Sequence, residues 1–110
     1  MAKSSTGMEE NVAALLSYVF GFITGLIFFL IEKESKFVRF HAMQSIVFSV
    51  ALLIIYLILG IIPIVGWILI PIVGIVGFVF WIILLIKAYQ GAHYKLPLLG
   101  NLAEKWSSAA

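Results

Sequence analysis

The sequence predicts an all-α integral membrane protein: a bundle of three transmembrane helices followed by a short amphipathic helix at the membrane interface. Three observations predict it. Unbroken apolar runs recur along the chain at the length, about 20 residues, that a helix needs to cross a hydrocarbon core about 30 Å thick. Charge is scarce, at 11% of residues against roughly 25% in soluble domains. The runs also lack the strict alternation of polar and apolar residues that a membrane barrel strand requires. With 64% hydrophobic residues among 110 and a mean hydropathy of +1.18, so small a soluble domain could not cover its apolar surface. One membrane domain covering 1–110 is the expected organisation.

The first span is expected at 12–31, bounded by the polar run EKESK. The second is expected at 40–62 and stops at Pro63. The third runs over about 64–86 to Lys87, with Pro71 in its first turns, where a missing N–H costs least. The uncharged link IIPIVGW (61–67) reads as a tight turn with Trp67 as an interface anchor. In the tail, Leu98, Leu99, Leu102 and Trp106 recur at helical spacing after Pro97, so 96–106 reads as an interfacial helix. The N-terminus MAKSSTGMEEN carries Glu9 and Glu10 and lacks the positive n-region of a secretory signal.

Lys and Arg set the expected orientation. With three spans, the 32–39 loop and the tail share a side and hold Lys33, Lys36, Arg39, Lys87, Lys95 and Lys105, while the opposite side holds Lys3. That places the protein in the cell (cytoplasmic) membrane with loop and C-terminus cytoplasmic and the N-terminus outside. Lys33, Lys36, Arg39, Lys87, Lys95 and Trp106 are then the residues expected at lipid headgroups.

The polar residues within the spans are not scattered. At 100° per residue, Ser17, Gly21, Thr24, Gly25 and Glu32 form one stripe, and His41, Gln44, Ser45, Ser49 and Tyr56 form another. Gly21 and Gly25, and Gly74 with Gly77, allow close helix approach. A polar seam between helices, with His41, Gln44 and Ser45 turned toward Glu32 and the Thr24 stripe, is therefore expected. Packing is favoured over a transport cleft as its purpose.

Enzymatic machinery is not visible. There is no cysteine, which excludes thiol chemistry and thiolate metal sites. His41 and His93 are the only histidines, too few for a metal centre, and no nucleophile has an orienting partner. The expectation is no enzyme, no cofactor and no metal. The net charge of +2 is too small to suggest nucleic acid. Expected partners are membrane lipids, a second copy of the chain (a dimer is favoured) and other membrane subunits.

The stretch FITGLIFFLIEKESKFVRFHAMQSI (22–46), together with YKLPLLGNLAEK (94–105), resembles the Tic-twenty-like family of small prokaryotic multi-pass membrane proteins, the "import component" proteins. The residues carrying the resemblance are Glu32, Lys33, Phe37, Val38, Arg39, Phe40, His41, Ala42, Gln44 and Ser45. It implies a subunit of a transport or protein-translocation assembly. Three short helices cannot enclose a wide pore, so such a role would need further subunits. The alternative is a structural, lipid- or protein-interacting membrane protein that conducts nothing; an intramembrane enzyme is a remote third.

Overall fold

The computed structural model describes residues 7–96 and 98–109, and every element among them is helical. Five helices follow one another: α1 (Glu10–Val19), α2 (Phe22–Ile31), α3 (Lys36–Ile61), α4 (Val65–Tyr89) and α5 (Leu99–Ala109). Lys3, Pro97 and the tip of the tail, which entered the sequence reading, lie outside the described residues. The molecule measures 49 × 25 × 21 Å.

Two helices, α3 and α4, are long and apolar enough to cross a membrane. At 26 residues α3 is about 39 Å long. Ser35 caps it, accepting a hydrogen bond from the Val38 N–H at 3.2 Å. Antiparallel α4 follows a three-residue turn. Gly66 is required there, because a Cβ would strike the backbone carbonyl of Leu59. Trp67 donates its indole N–H to the Gly60 carbonyl at 3.3 Å and so ties the turn together. Pro71 stands in the second turn of α4, seven residues in, within the first turns as expected.

The predicted first span is not one helix. The chain breaks at Phe20–Gly21, where Gly21 adopts φ 58° and ψ −122°, a conformation that side chains other than hydrogen resist. Each half is ten residues, about 15 Å, which is half of a hydrocarbon core. The halves fold back on each other. Ala13 of α1 packs with Phe28 of α2 against Val38 and Ala42 of α3. The Ser35 hydroxyl donates to the Glu10 carboxylate at 2.7 Å. The start of α1 and the 32–35 loop therefore lie at one end of the molecule. This corrects the expectation that one unbroken helix over 12–31 separates the start of α1 from the loop.

The break is tolerated because its backbone groups are satisfied, as apolar surroundings demand. Thr24 accepts from the Phe20 N–H and donates to the Ser17 carbonyl, both at 3.1 Å. Trp81 of α4 donates to the Tyr18 carbonyl at 2.7 Å. Ser45 of α3 donates to the Gly21 carbonyl at 2.9 Å.

After α4 the chain turns at Gly91 (φ 77°) and runs without regular structure over 92–96 beside α3. It turns again at Leu98 (φ 64°) and α5 then returns along α3. Leu99 packs near Phe48, and Ala103 against Phe40 and Val47. The expected tail helix is thus present, but it lies against α3 as well as presenting an exposed edge.

All buried residues of α3 fall between Val38 and Phe48. In α4 they are Gly66 at the turn and then Gly77, Leu84 and Ala88. One end of the molecule is a packed five-helix assembly and the other is a bare helical hairpin. Leu57 and Ile61 of α3 are 61% and 80% exposed, and Ile75 of α4 is 67% exposed.

Candidate functional site: the buried polar cluster

The polar residues gather at the packed end, where three segments meet: α1, the first turns of α3, and the irregular run 92–96. Tyr18, His41 and Gln44 are fully buried there. His41 Nε2 lies 2.9 Å from the Ala92 carbonyl oxygen, which can only accept, so Nε2 carries a proton. His41 Nδ1 is 2.6 Å from the Tyr18 hydroxyl. The Gln44 amide nitrogen donates to that same hydroxyl at 2.8 Å and to the Tyr94 carbonyl at 2.9 Å. The Gln44 carbonyl oxygen accepts the Leu96 N–H at 2.9 Å.

One proton arrangement satisfies every member. Tyr18 accepts from Gln44 and donates to a neutral His41, which donates through Nε2 to Ala92. A doubly protonated ring would leave the Tyr18 proton without an acceptor in this network. The imidazole is boxed by aromatic edges, with ring centroids of Phe37, Phe40 and Tyr18 at 4.6, 5.2 and 5.5 Å. Helix α3 thus presents its one histidine and its one glutamine to a stretch of non-helical backbone and replaces the partners that a helix would have supplied.

Glu32 is also buried but is engaged elsewhere. Its carboxylate accepts the N–H groups of Ser35 at 2.9 Å and Glu34 at 3.2 Å, which shapes the turn between α2 and α3. Arg39 donates to the carbonyls of Glu32 at 2.6 Å and Phe29 at 3.0 Å, and its guanidinium sits 4.2 Å over the Phe29 ring. It closes the open end of α2, where carbonyls lack helical partners. The expected meeting of His41 with Glu32 does not occur, since Tyr18 and Ala92 take both ring nitrogens.

The other sequence-selected residues are placed as follows. Ser17 is buried and donates to the Ala14 carbonyl of its own helix at 2.6 Å. A Cβ on Gly21 would lie 3.0 Å from Ser49 Oγ, and one on Gly25 would lie 3.0 Å from both the Ala42 carbonyl and Ser45. Gly74 faces the Tyr56 hydroxyl and Gly77 faces Leu52. These glycines are used for contacts within one chain. Lys33 and Lys36 are exposed and Lys87 is half-buried. Lys95 pairs with Glu104 of α5 at 2.9 Å, and His93 reaches the same oxygen at 3.1 Å. Hydrogen bonds from Lys95, then from His93, hold the Glu104 carboxyl below its usual range. Trp106 is exposed on one edge and borders an apolar groove with Met43 and Val47.

Tyr18, Trp81 and the backbone of 92–96 were missed by the sequence reading. The available signal was a tyrosine hydroxyl in mid-run, which must find a partner when buried. Among the described residues no three His, Asp or Glu side chains converge as metal ligands would.

Residues 7–103 match the model of the magnetosome magnetite crystal formation protein family. The chain is 47% identical over 107 residues to a UPF0132 membrane protein of Methanocaldococcus jannaschii, covering 97% of this chain and 96% of that one. It is 49% identical over 98 residues to a UPF0132 membrane protein of Archaeoglobus fulgidus, covering 89% and 95%. A second M. jannaschii protein of that description is 42% identical over 100 residues, covering 91% and 71%. No solved structure matches. The stretch 22–46 that carried the Tic-twenty-like resemblance lies inside the family match, which overturns that assignment and the import role it implied. Its polar residues shape a turn and hold backbone, a local requirement that specifies no cargo.

Proposed function

The chain belongs to the magnetosome magnetite crystal formation protein family, and from that premise we infer that it is a non-enzymatic membrane protein whose role is architectural. In this reading α3 and α4 span the bilayer. The α1–α2 hairpin enters only the leaflet at the packed end and returns. Helix α5 lies at the same interface, with Leu102 and Trp106 toward the acyl chains and Glu104 and Lys105 among headgroups. The packed end carries Lys33, Lys36, Arg39, Lys87, Lys95 and Lys105, so the positive-inside rule assigns it to the cytoplasmic face.

The observation that carries this reading is the occupancy of the polar cluster. The polar atoms of His41 and Gln44 are engaged by Tyr18 and by backbone of this chain. They serve the fold, which favours architecture over catalysis or conduction. The proposal takes from the relatives their membrane setting, and it assigns none of these groups to an iron oxide surface.

Topology tests it. The chain lacks cysteine, so single cysteines can be introduced at the exposed positions Glu9 and Lys33 and at Gly60, where a Cβ meets open space. A membrane-impermeant thiol reagent on intact cells should label Gly60→Cys and spare both Glu9→Cys and Lys33→Cys. Opposite labelling of positions 9 and 33 would restore a spanning first segment and refute the re-entrant hairpin.

A further inference from the structure

We propose that the protein is a molecular wedge that partitions into curved membrane, with its packed end in the convex leaflet. This rests on the re-entrant topology above and goes beyond it.

The argument is one of cross-section at two depths. At the packed end, α1, α2, α5 and the 92–96 run all surround α3 and α4. None of them extends past the middle of α3. The tip of the α1–α2 hairpin is level with Ser49, where Gly21 meets its hydroxyl. Helix α5 begins beside Phe48 and runs back toward the start of α3. Beyond that depth only two helices remain, and their outward surface is apolar on all sides. Cavities of about 310 and 270 Å³ mark where the cross-section steps down, one above the hairpin tip beside Gly21 and Tyr56, one above Leu99.

Lipid is the occupant of the narrow end for two reasons. Its exposed large side chains are aliphatic and aromatic, and the Tyr56 hydroxyl lies over Gly74 of the same chain. Of the glycines in this half, Gly74 and Gly77 face Tyr56 and Leu52 of the same chain, and Gly60, beside the turn, is the one that faces open space without a second small residue to pair with it in a close-contact stripe. A body that fills more area in one leaflet than in the other fits best where the first leaflet is stretched outward. Elements inserted into a single leaflet are sensitive to curvature for the same reason.

The test uses the full-length protein carrying Lys33→Cys, reconstituted into a mixture of small sonicated and large extruded vesicles of one phosphatidylglycerol–phosphatidylcholine composition. Two quantities are read after the sizes are separated: protein per lipid, and the fraction of position 33 labelled from outside. The expected result is a several-fold higher protein content in small vesicles, with position 33 facing mostly outward there and less so in large ones. Equal content and equal orientation in both sizes would overturn the wedge. A Leu57→Cys variant that crosslinks to itself efficiently in bilayers would also overturn it, because a second copy would then fill the narrow leaflet. The two readings fail separately. Opposite labelling of positions 9 and 33 in cells removes the hairpin, whereas shared labelling without size selection removes only the wedge.

Discussion

The Ser35 hydroxyl donates to the Glu10 carboxylate at 2.7 Å, joining the start of α1 to the start of α3 across 25 positions of sequence. The same oxygen accepts the Val38 N–H and caps α3. One hydroxyl thus fastens the base of the hairpin and begins the first long helix. Ser35→Ala removes both roles and should lower stability by about 1–2 kcal/mol, the range of a lost cap. Glu10→Gln keeps the cap and should cost less. Thermal unfolding in nanodiscs compares them; equal losses would show that the link to Glu10 is dominant.

Gln44 is the most heavily used side chain in the cluster. Gln44→Leu keeps the volume but strands the Tyr94 carbonyl and the Leu96 N–H. A buried unpaired polar group costs about 1–3 kcal/mol, so a loss of about 3 kcal/mol is expected. Hydrogen exchange at residues 92–96 should rise sharply while α4 stays protected. Uniform protection would mean that Gln44 does not hold this segment.

Tyr18 and His41 should be energetically coupled, and Glu32 and His41 should not. A double-mutant cycle on Tyr18→Phe and His41→Ala is expected to show a coupling of about 1 kcal/mol, because the two share one hydrogen bond and one network. The parallel cycle on Glu32→Gln and His41→Ala should be additive within error. Reversal of the two results would contradict the network described above.

Gly21→Ala should be poorly tolerated. The added methyl meets Ser49 Oγ at 3.0 Å, and the backbone conformation disfavours any side chain. Such strain costs about 1–3 kcal/mol. Pairing it with Ser49→Ala should recover only the steric part. Full recovery would show that the backbone angle itself carries no cost.

The Lys95–Glu104 pair gives α5 a pH dependence of known sign. The folded-state pKa of Glu104 is depressed, so its contribution is present above the unfolded carboxylate pKa and is lost as pH falls through the folded value. Docking of α5 should be constant near neutrality and loosen in acid. The pair is half-exposed, so the effect should be small. An environment-sensitive dye on Lys105→Cys would report it, and Glu104→Gln should flatten the profile.

What could be read in the sequence follows from what periodicity encodes. The apolar runs of α3 and α4 were legible as helices long and apolar enough to cross a membrane, because length and hydropathy are local properties. The grouping of His41, Gln44 and Ser45 on one face was legible for the same reason. The break at Gly21 was not. Gly21 and Gly25 at helical spacing suit a close helix contact as well as a chain reversal, and the difference lies in Thr24, Ser45 and Trp81, which supply the partners. The targets of His41 and Gln44 were hidden because they are backbone atoms about 50 positions away, and backbone has no sequence signature. Glu32 and His41 are close in sequence and chemically matched, yet the adjacent turn claims Glu32, and distant Tyr18 and Ala92 claim His41.

Those long separations bear on how the chain is made. When α3 leaves the ribosome, the Ala92 and Tyr94 carbonyls that His41 and Gln44 will engage have not been synthesised. Until residues 92–96 follow, Tyr18 is the one member of the network available to α3, and His41 Nε2 and the Gln44 carbonyl oxygen wait for their partners, a condition that in a membrane would favour holding α3 in the insertion machinery. The stretch translated after α4 closes the polar gap left by the earlier one. A nascent chain cut short after α4 would therefore display an unsealed polar face within the bilayer, the kind of mark by which membrane quality control could distinguish it from a finished molecule.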